Sequence, residues 1–183
     1  MVKIGDREVD LGLKPIVVLT LVCVLSALSL GVFHNLTQER IEASERKQID
    51  MAFSNVFPNS EFEELDNNVY RATSDGNTIG YVGIAKGRGY GGFTGGFIRL
   101  AVGINLEGTI EGVSVISQSE TPGLGSRITE DWFLSQFDGK TKEEIELVKN
   151  GGDIEAITGA TISSTAVLEA VRDKIEVLRK ELE

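Results

Sequence analysis

The chain has 183 residues, a formal net charge of -10 at pH 7 and a single cysteine. This length suits one domain of about 100 to 200 residues with an added segment. The acidic balance argues against nucleic acid as a partner, because a phosphate backbone would repel it. A single cysteine excludes an intramolecular disulfide and a CxxC metal site, and no metal site is predicted.

An apolar run near the N-terminus predicts a membrane span. Residues 15–33 read PIVVLTLVCVLSALSLGVF and contain no charged residue. A helix that crosses a bilayer needs about 20 apolar residues, so we expect a transmembrane helix preceded by a short, irregular or amphipathic segment at residues 1–14. A cleaved signal peptide is the alternative, although its apolar region typically has only about 7 to 15 residues. Three basic residues precede the span and three follow it closely, so their count does not predict its orientation.

Residues 34–58 predict a helical stem that connects the span to a globular domain. Their composition is polar and favours a helix, with a few apolar residues loosely on one face. Pro58 cannot continue a helix, so we expect the stem to end before it. The remaining residues, 59–183, then form the domain.

The centre of the chain predicts an antiparallel sheet. The pair Asp75-Gly76 suits a tight turn between two β-forming segments and predicts a hairpin. After a glycine-dense loop at residues 87–96, apolar and other residues alternate, which predicts a half-buried strand and a returning partner. We expect strands at residues 69–73, 79–85, 98–105 and 110–117.

The last third of the chain predicts helices. A short helix is expected over residues 129–137, capped by its first residue, with Trp132 and Phe137 facing inward. A further strand is expected at residues 144–148, and a terminal helix at residues 166–183 with one apolar face packed on the sheet. The fold class is therefore α+β, with a single N-terminal transmembrane helix followed by a domain in which helices flank an antiparallel sheet.

Two loops carry the most informative patterns. In residues 121–125, TPGLG, proline followed by glycine predicts a type II turn, because glycine accepts a positive φ. In residues 155–165, EAITGATISST, hydroxyl residues precede the terminal helix, whose first N–H groups have no intrahelical partner and can bind an anion. Small neighbours leave the Thr161 side chain accessible to another macromolecule. A surface turn and an ordinary hydroxyl-rich helix start are the alternatives.

TGATISS at residues 158–164 closely resembles the S/T-G-A-T-x-S/T motif of the FMN-binding domain family. ETPGLG at residues 120–125 resembles the second characteristic motif of that family, and the two occur in the expected order after a strand hairpin. Over residues 15–183 the chain is most similar to the G subunits of the Rnf electron-transport complex, which have one N-terminal span, a helical stem and this domain. Glu155 stands where the modification motif commonly has aspartate.

This resemblance implies covalent FMN, bound through its phosphate to the last threonine of the GAT triplet, here Thr161. It also implies a separate flavin transferase that uses FAD as donor, with Glu155 in its recognition motif. No catalytic residue is expected in this chain. The implied flavin-binding residues are Glu120, Thr121, Pro122, Gly123, Leu124, Gly125, Thr158, Gly159, Ala160, Ser163 and Ser164.

The resemblance further implies a role as electron relay without independent catalysis. Rnf complexes pass electrons between reduced ferredoxin and NAD, coupled to sodium or proton movement, and the expected partners are their other membrane and peripheral subunits. The domain would lie outside a bacterial or archaeal cytoplasmic membrane, with residues 1–14 inside. Three alternatives are the C subunit of a sodium-translocating NADH:quinone reductase, an anchored noncovalent ligand-binding or sensor module, and a self-contained flavin reductase, for which no acid/base constellation is evident.

Overall fold

The computed structural model describes most of the chain, in five ranges: residues 2–4, 7–9, 13–66, 68–90 and 96–182. The chain forms two compact units, Met1–Arg46 and Lys47–Glu183. The second unit contains both motifs singled out from the sequence.

The first unit contains a short hairpin and most of a long helix. Strand β1 (Val2–Ile4) pairs antiparallel with β2 (Arg7–Val9), so these residues form a regular hairpin and are not irregular. The rest of the predicted segment 1–14, apart from its last two residues, lies outside the described residues.

Helix α1 (Leu13–Val56) joins the predicted span and the predicted stem in one continuous element. Pro15 is tolerated in its first turn, where the missing N–H has no intrahelical partner. The helix ends before Pro58, as expected. Among the described residues it is the one helix long and apolar enough to cross a membrane, by length and composition.

The second unit is built on a five-stranded antiparallel sheet whose strands follow one another in chain order. The predicted hairpin is confirmed: Asp75 and Gly76 form its two-residue turn with φ of 51° and 77°, as the twist of paired strands requires. The first strand was not predicted from the sequence. The strands are β3 (Glu61–Glu64), β4 (Val69–Ser74), β5 (Asn77–Arg88), β6 (Phe97–Asn105) and β7 (Ile110–Ser117).

Strand β6 is buried on both faces, and the prediction of a half-buried strand was wrong. Its even-numbered residues Ile98 to Ile104 face one core, while Ala101 and Gly103 face a second. The last turns of α1 and Phe57 cover that second face. A Cβ added at Gly103 would lie 2.8 Å from the Phe57 ring, so only glycine allows this close packing.

The first core lies between the sheet and helix α3 (Thr161–Arg179), which begins earlier than expected. Fully burying one valine, leucine or isoleucine side chain stabilises the fold by about 1.5–3 kcal/mol. The apolar face of α3 therefore fixes the position of this helix and of its first turn. The fully buried residues of this face are Val167, Val171, Ile175 and Leu178.

The segment between β7 and α3 is mostly irregular, and the predicted capped helix there was wrong in detail. Thr129 belongs to a 3-10 turn, Gly125–Thr129, and its hydroxyl donates to the Ser126 carbonyl at 3.0 Å. Helix α2 (Asp131–Leu134) begins after it, with a shifted phase. Trp132 is therefore 41% exposed, and Phe133 is buried in its place, together with Phe137 as expected.

The predicted strand at residues 144–148 is also wrong. Thr141 and Glu144 form a capping box, in which the Thr141 N–H donates to the Glu144 carboxylate at 2.7 Å, and this winds residues 142–144 into a 3-10 turn. Only Leu147 forms an isolated bridge, with Ile154.

Candidate functional site

The loop after β7 folds into the tight turn predicted at Pro122-Gly123. The Leu124 N–H donates to the Thr121 carbonyl at 3.1 Å, and Gly123 has a φ of +73°. A side chain would be strained in that conformation, so this glycine serves the turn. The turn directs Leu124 towards the start of α3.

The loop before α3 is held by its own hydrogen bonds. Gly159 has a φ of +80°, and the Ala160 N–H donates to the Ile157 carbonyl at 2.9 Å. The buried Ser164 hydroxyl accepts the Ile157 N–H at 3.0 Å and donates to the Ala160 carbonyl at 3.1 Å. Ser164 therefore holds the loop against the helix and is committed to the backbone.

Thr161 is the first residue of α3 and is exposed. The residue before it, Ala160, has no side chain that can cap the helix. The N–H groups of this first turn consequently remain able to bind an anion. The exposed hydroxyl and these N–H groups lie at the same helix end, as the sequence predicted.

The two loops meet. A Cβ added at Gly159 would lie 3.0 Å from Leu124 Cδ1, so the turn of one loop packs on the glycine of the other. The Ser163 hydroxyl donates a short hydrogen bond to Oε2 of Glu120. The two motifs, residues 120–125 and 158–164, are separated in sequence but therefore form one continuous wall of the site.

Glu120 is a buried acidic side chain of this wall, with only 5% of its surface exposed. Its Oε2 also accepts the Tyr90 N–H at 3.1 Å. Its Oε1 is buried and has no hydrogen-bond partner among the described residues. This oxygen therefore lies inside the wall, beside Gly89, and not at the cavity surface.

Two glycines make room for the Glu120 carboxylate. A Cβ added at Gly125 would lie 2.7 Å from Oε2 and 2.8 Å from the Ser163 hydroxyl. One added at Gly89 would overlap with Oε1 and lie 2.7 Å from the carboxyl carbon. Gly125 thus leaves space for a buried carboxylate group, a role that the sequence pattern alone did not indicate.

A cavity of about 420 Å³ opens between the two loops. Its size falls within the range of small-molecule sites, roughly 300–1,000 Å³. Among the residues that the structure describes, Glu120 is the one charged residue that lines it. The lining residues are Tyr90, Glu120, Thr121, Leu124, Gly125, Gly159, Ala160, Thr161, Ile162 and Ser163.

Eight of the sequence-predicted residues line this cavity, while Pro122, Gly123, Thr158 and Ser164 do not. These four shape the loops or the helix start. Sequence reasoning missed two lining residues, Tyr90 and Ile162. Tyr90 stands in the glycine-dense loop and Ile162 is the variable position of the TGATISS motif, so both lay within patterns already noted.

Glu155 lies apart from the cavity lining, with an exposed side chain. Its N–H donates to Gln136 Oε1 at 2.7 Å, and its carbonyl accepts the Gln136 amide at 3.3 Å. The backbone at this position is therefore fixed, while the carboxylate is free to contact another protein.

A second recess of about 260 Å³ shares Thr161 and Ile162 with the first. It is lined by Arg88, Lys149, Thr161, Ile162, Thr165, Ala166 and Glu169. Thr161 thus stands on the ridge between the two spaces.

Another cavity, of about 440 Å³, lies along β7 and contains neither motif. Glu111, Asp131 and Asp138 line it. Three carboxylates disfavour an anionic ligand, so its similar volume does not make it a competing site for a phosphate compound.

The FMN-binding domain family matches residues 92–176 of the chain. The G subunit of the proton-translocating ferredoxin:NAD(+) oxidoreductase complex of Clostridium ljungdahlii is 33% identical over 165 residues, 86% of each chain. The G subunit of the ion-translocating oxidoreductase complex of Methanosarcina acetivorans is 33% identical over 89% of this chain and 92% of that relative. The G subunit of the Na(+)-translocating ferredoxin:NAD(+) oxidoreductase complex of Acetobacterium woodii is 36% identical over 74% of this chain and 66% of its own.

Two crystal structures share the fold. NqrC from Shewanella oneidensis has 22% sequence identity and a TM-score of 0.51, with 68% of this chain and 70% of its own covered. The C subunit of the Na(+)-translocating NADH-quinone reductase from Parabacteroides distasonis has 27% identity and a TM-score of 0.51, with 62% and 61% covered. The predicted α+β class with its antiparallel sheet is confirmed.

Proposed function

This chain belongs to the G subunits of ion-translocating oxidoreductase complexes, and on that premise we propose that it is their FMN-carrying electron-transfer subunit. The complex it serves is a ferredoxin:NAD oxidoreductase that couples electron transfer to the movement of sodium ions or protons, since the chain is similar to relatives of both kinds. The chain is a relay within this complex and performs no independent catalysis. Its partners are the other membrane and peripheral subunits.

One observation carries this proposal: the two motif loops line a single cavity with Thr161 on its edge. FMN, when bound, supplies the redox chemistry of its ring, while the protein binds and orients it. Leu124, Ala160 and Ile162 offer apolar surface to a planar ring. The N–H groups of the first turn of α3 suit its phosphate. The residues present therefore fit FMN.

We further propose that FMN is attached covalently, as a phosphate ester of Thr161. The exposed hydroxyl lies beside free N–H groups of the first helical turn, which lower the cost of holding a phosphate there. A flavin transferase supplies the group from FAD. The Thr161 Oγ1–phosphorus bond forms, the bond within the FAD diphosphate breaks, AMP leaves and the hydroxyl releases its proton.

Helix α1 anchors the chain in the membrane. The apolar side chains of its first part, from Leu13 to Phe33, are exposed in the protein itself, which suits lipid as their surroundings. We propose that the second unit lies outside the bacterial or archaeal cytoplasmic membrane, with the N-terminus inside. This placement follows the family resemblance.

The alternative, the C subunit of a sodium-translocating quinone reductase, is less well supported. Its solved representatives show 22% and 27% identity, whereas two G subunits reach 33% over 86% and 92% of their own length. The sheet and the flavin domain are common to both, so the fold alone does not separate them.

The attachment is tested with full-length chain made in a host that supplies the flavin transferase. We expect flavin fluorescence that survives denaturing electrophoresis, and its loss in Thr161→Ala. Thr73→Ala is the matched control, because Thr73 lies in strand β4, outside both motif loops and the cavity lining. Trypsin releases residues 150–172, which contain Thr158, Thr161 and Thr165, so fragmentation of this peptide assigns the ester to one of them.

Two results would contradict the proposal. Release of all flavin from the wild-type chain on unfolding indicates a noncovalent binding module. Covalent flavin in Thr161→Ala, or an ester assigned to Thr158, places the attachment at another residue.

A further inference from the structure

We propose that the recess formed by Arg88 and Lys149 binds the cofactor phosphate, so that the phosphate and the ring lie on opposite sides of Thr161. This inference rests on the proposed function, and it adds the recess as a phosphate-binding part of the FMN site. The starting observation is that Thr161 and Ile162 line both spaces. A group joined to the Thr161 hydroxyl can therefore extend into either.

Charge separates the two spaces. In the described part of the chain, one charged residue lines the larger cavity: the buried Glu120, whose carboxylate disfavours a second anion nearby. The recess holds two cations, Arg88 and Lys149, and one carboxylate, Glu169. Its formal charge is therefore +2 − 1 = +1. An FMN phosphate esterified to Thr161 has two ester bonds and one negative charge, so this recess neutralises it.

The two cations are available for such a ligand. Among the described residues, neither Arg88 nor Lys149 forms a salt bridge, whereas six other basic residues of the second unit do. In a chain with a net charge of -10, two unpaired cations beside the proposed attachment residue mark an anion-binding surface.

Packing holds Arg88 at this place. It ends strand β5, and the preceding residue, Gly87, lies against α3: a Cβ added there would come within 2.6 Å of the Ala166 carbonyl oxygen. Only glycine lets the strand approach the helix so closely. The Arg88 side chain is thereby brought beside the turn of α3 that carries Thr165.

Lys149 is positioned from a different element. It belongs to the 3-10 turn Val148–Asn150, and Asn150 donates to Glu146 Oε1 at 2.7 Å. Glu146 in turn forms a salt bridge of 3.1 Å with Arg172 of α3. This chain of contacts ties the turn to the same helix that carries Thr161. Two separate elements thus deliver a cation to one side of the helix start.

The test compares FMN with riboflavin, which has the same ring and no phosphate. Full-length chain made without the transferase is titrated with each flavin and followed by flavin fluorescence. We expect Arg88→Gln and Lys149→Gln each to weaken FMN binding by about five- to tenfold and to leave riboflavin unchanged. Glu169→Gln, which removes the one carboxylate, is expected to strengthen FMN binding. Lys180→Gln, at the far end of α3, is the control and changes neither.

A second measurement uses the flavin-bearing chain. Its phosphodiester should give one ³¹P resonance, which Arg88→Gln displaces and Lys180→Gln does not. Equal losses for FMN and riboflavin in Arg88→Gln, or an unmoved ³¹P resonance, would overturn the phosphate assignment and leave the flavin function intact. A chain that binds neither flavin and acquires none from the transferase would overturn the proposed function, and this inference with it.

Discussion

Removal of the Ser163 hydroxyl tests whether the two motif loops are joined through a buried charge. Glu120 Oε2 accepts two hydrogen bonds, from Ser163 and from the Tyr90 N–H, and Oε1 accepts none among the described residues. Ser163→Ala therefore removes one of two donors from a carboxylate that is 5% exposed.

Hydrogen bonds to charged groups contribute about 1.5–3 kcal/mol to the free energy of unfolding. For a unit the size of Lys47–Glu183, about 1 kcal/mol lowers Tm by roughly 3–4 °C. Ser163→Ala is thus expected to lower Tm by about 5–10 °C. In a Glu120→Gln background, Ser163→Ala removes a hydrogen bond between two neutral groups. Such a bond typically contributes about 0.5–1.5 kcal/mol to the free energy of unfolding.

The assay is thermal unfolding of the flavin-free full-length chain, followed by the near-ultraviolet signal of Trp132, the only tryptophan. The four proteins of this cycle give the coupling free energy between Ser163 and Glu120. A loss of less than about 0.5 kcal/mol for Ser163→Ala in the wild-type background, far below the expected value of about 1.5–3 kcal/mol, would refute the reasoning.

Two further predictions follow from close packing. Gly159→Ala should lower Tm and the yield of covalent flavin, because the new Cβ would contact Leu124 and the residue would be strained at a φ of +80°. Gly139→Ala is the control, at a φ of +72° in open space. It should cost only the backbone strain of about 1–2 kcal/mol and leave the flavin yield unchanged. Burial lowers the pKa of Lys174, whose aliphatic side chain packs on Gly83. Below that lowered pKa the buried ammonium group destabilises the folded state. This destabilisation disappears as the pH rises towards 10.5, where Lys174 also loses its proton in the unfolded chain. Lys174→Met should therefore raise Tm at pH 7 and lose this advantage by pH 10.5. A gain in Tm that is independent of pH would contradict the role given to Lys174. Equal Tm losses in Gly159→Ala and Gly139→Ala would contradict the contact with Leu124.

Much of the fold follows from local sequence patterns. The Asp75-Gly76 hairpin, the turn at Pro122-Gly123 and the terminal helix each depend on residues close in the chain, and all three are present. The phase of α2 was missed because a 3-10 turn precedes it, and such turns have no periodic signature.

What sequence reasoning missed depends on contacts between distant segments. The double-sided burial of β6 requires the end of α1 to cover the sheet, and nothing in the strand itself indicates that partner. Likewise Tyr90 and Arg88 are far from the TGATISS motif in the chain. The motif predicts an attachment point, while the charge around it appears only after folding.

The two outer strands of the sheet bear on how the protein behaves among its own copies. A membrane anchor confines neighbouring copies to a plane and raises their encounter frequency, which favours pairing between exposed strand edges. Strand β3 is four residues long and contains three glutamates, so a second copy added there would set carboxylates against carboxylates. At the opposite edge, Ile110 already exchanges backbone hydrogen bonds with Gly139 and Lys140. The β3 edge thus disfavours strand addition by a second copy, and the start of the β7 edge is already paired.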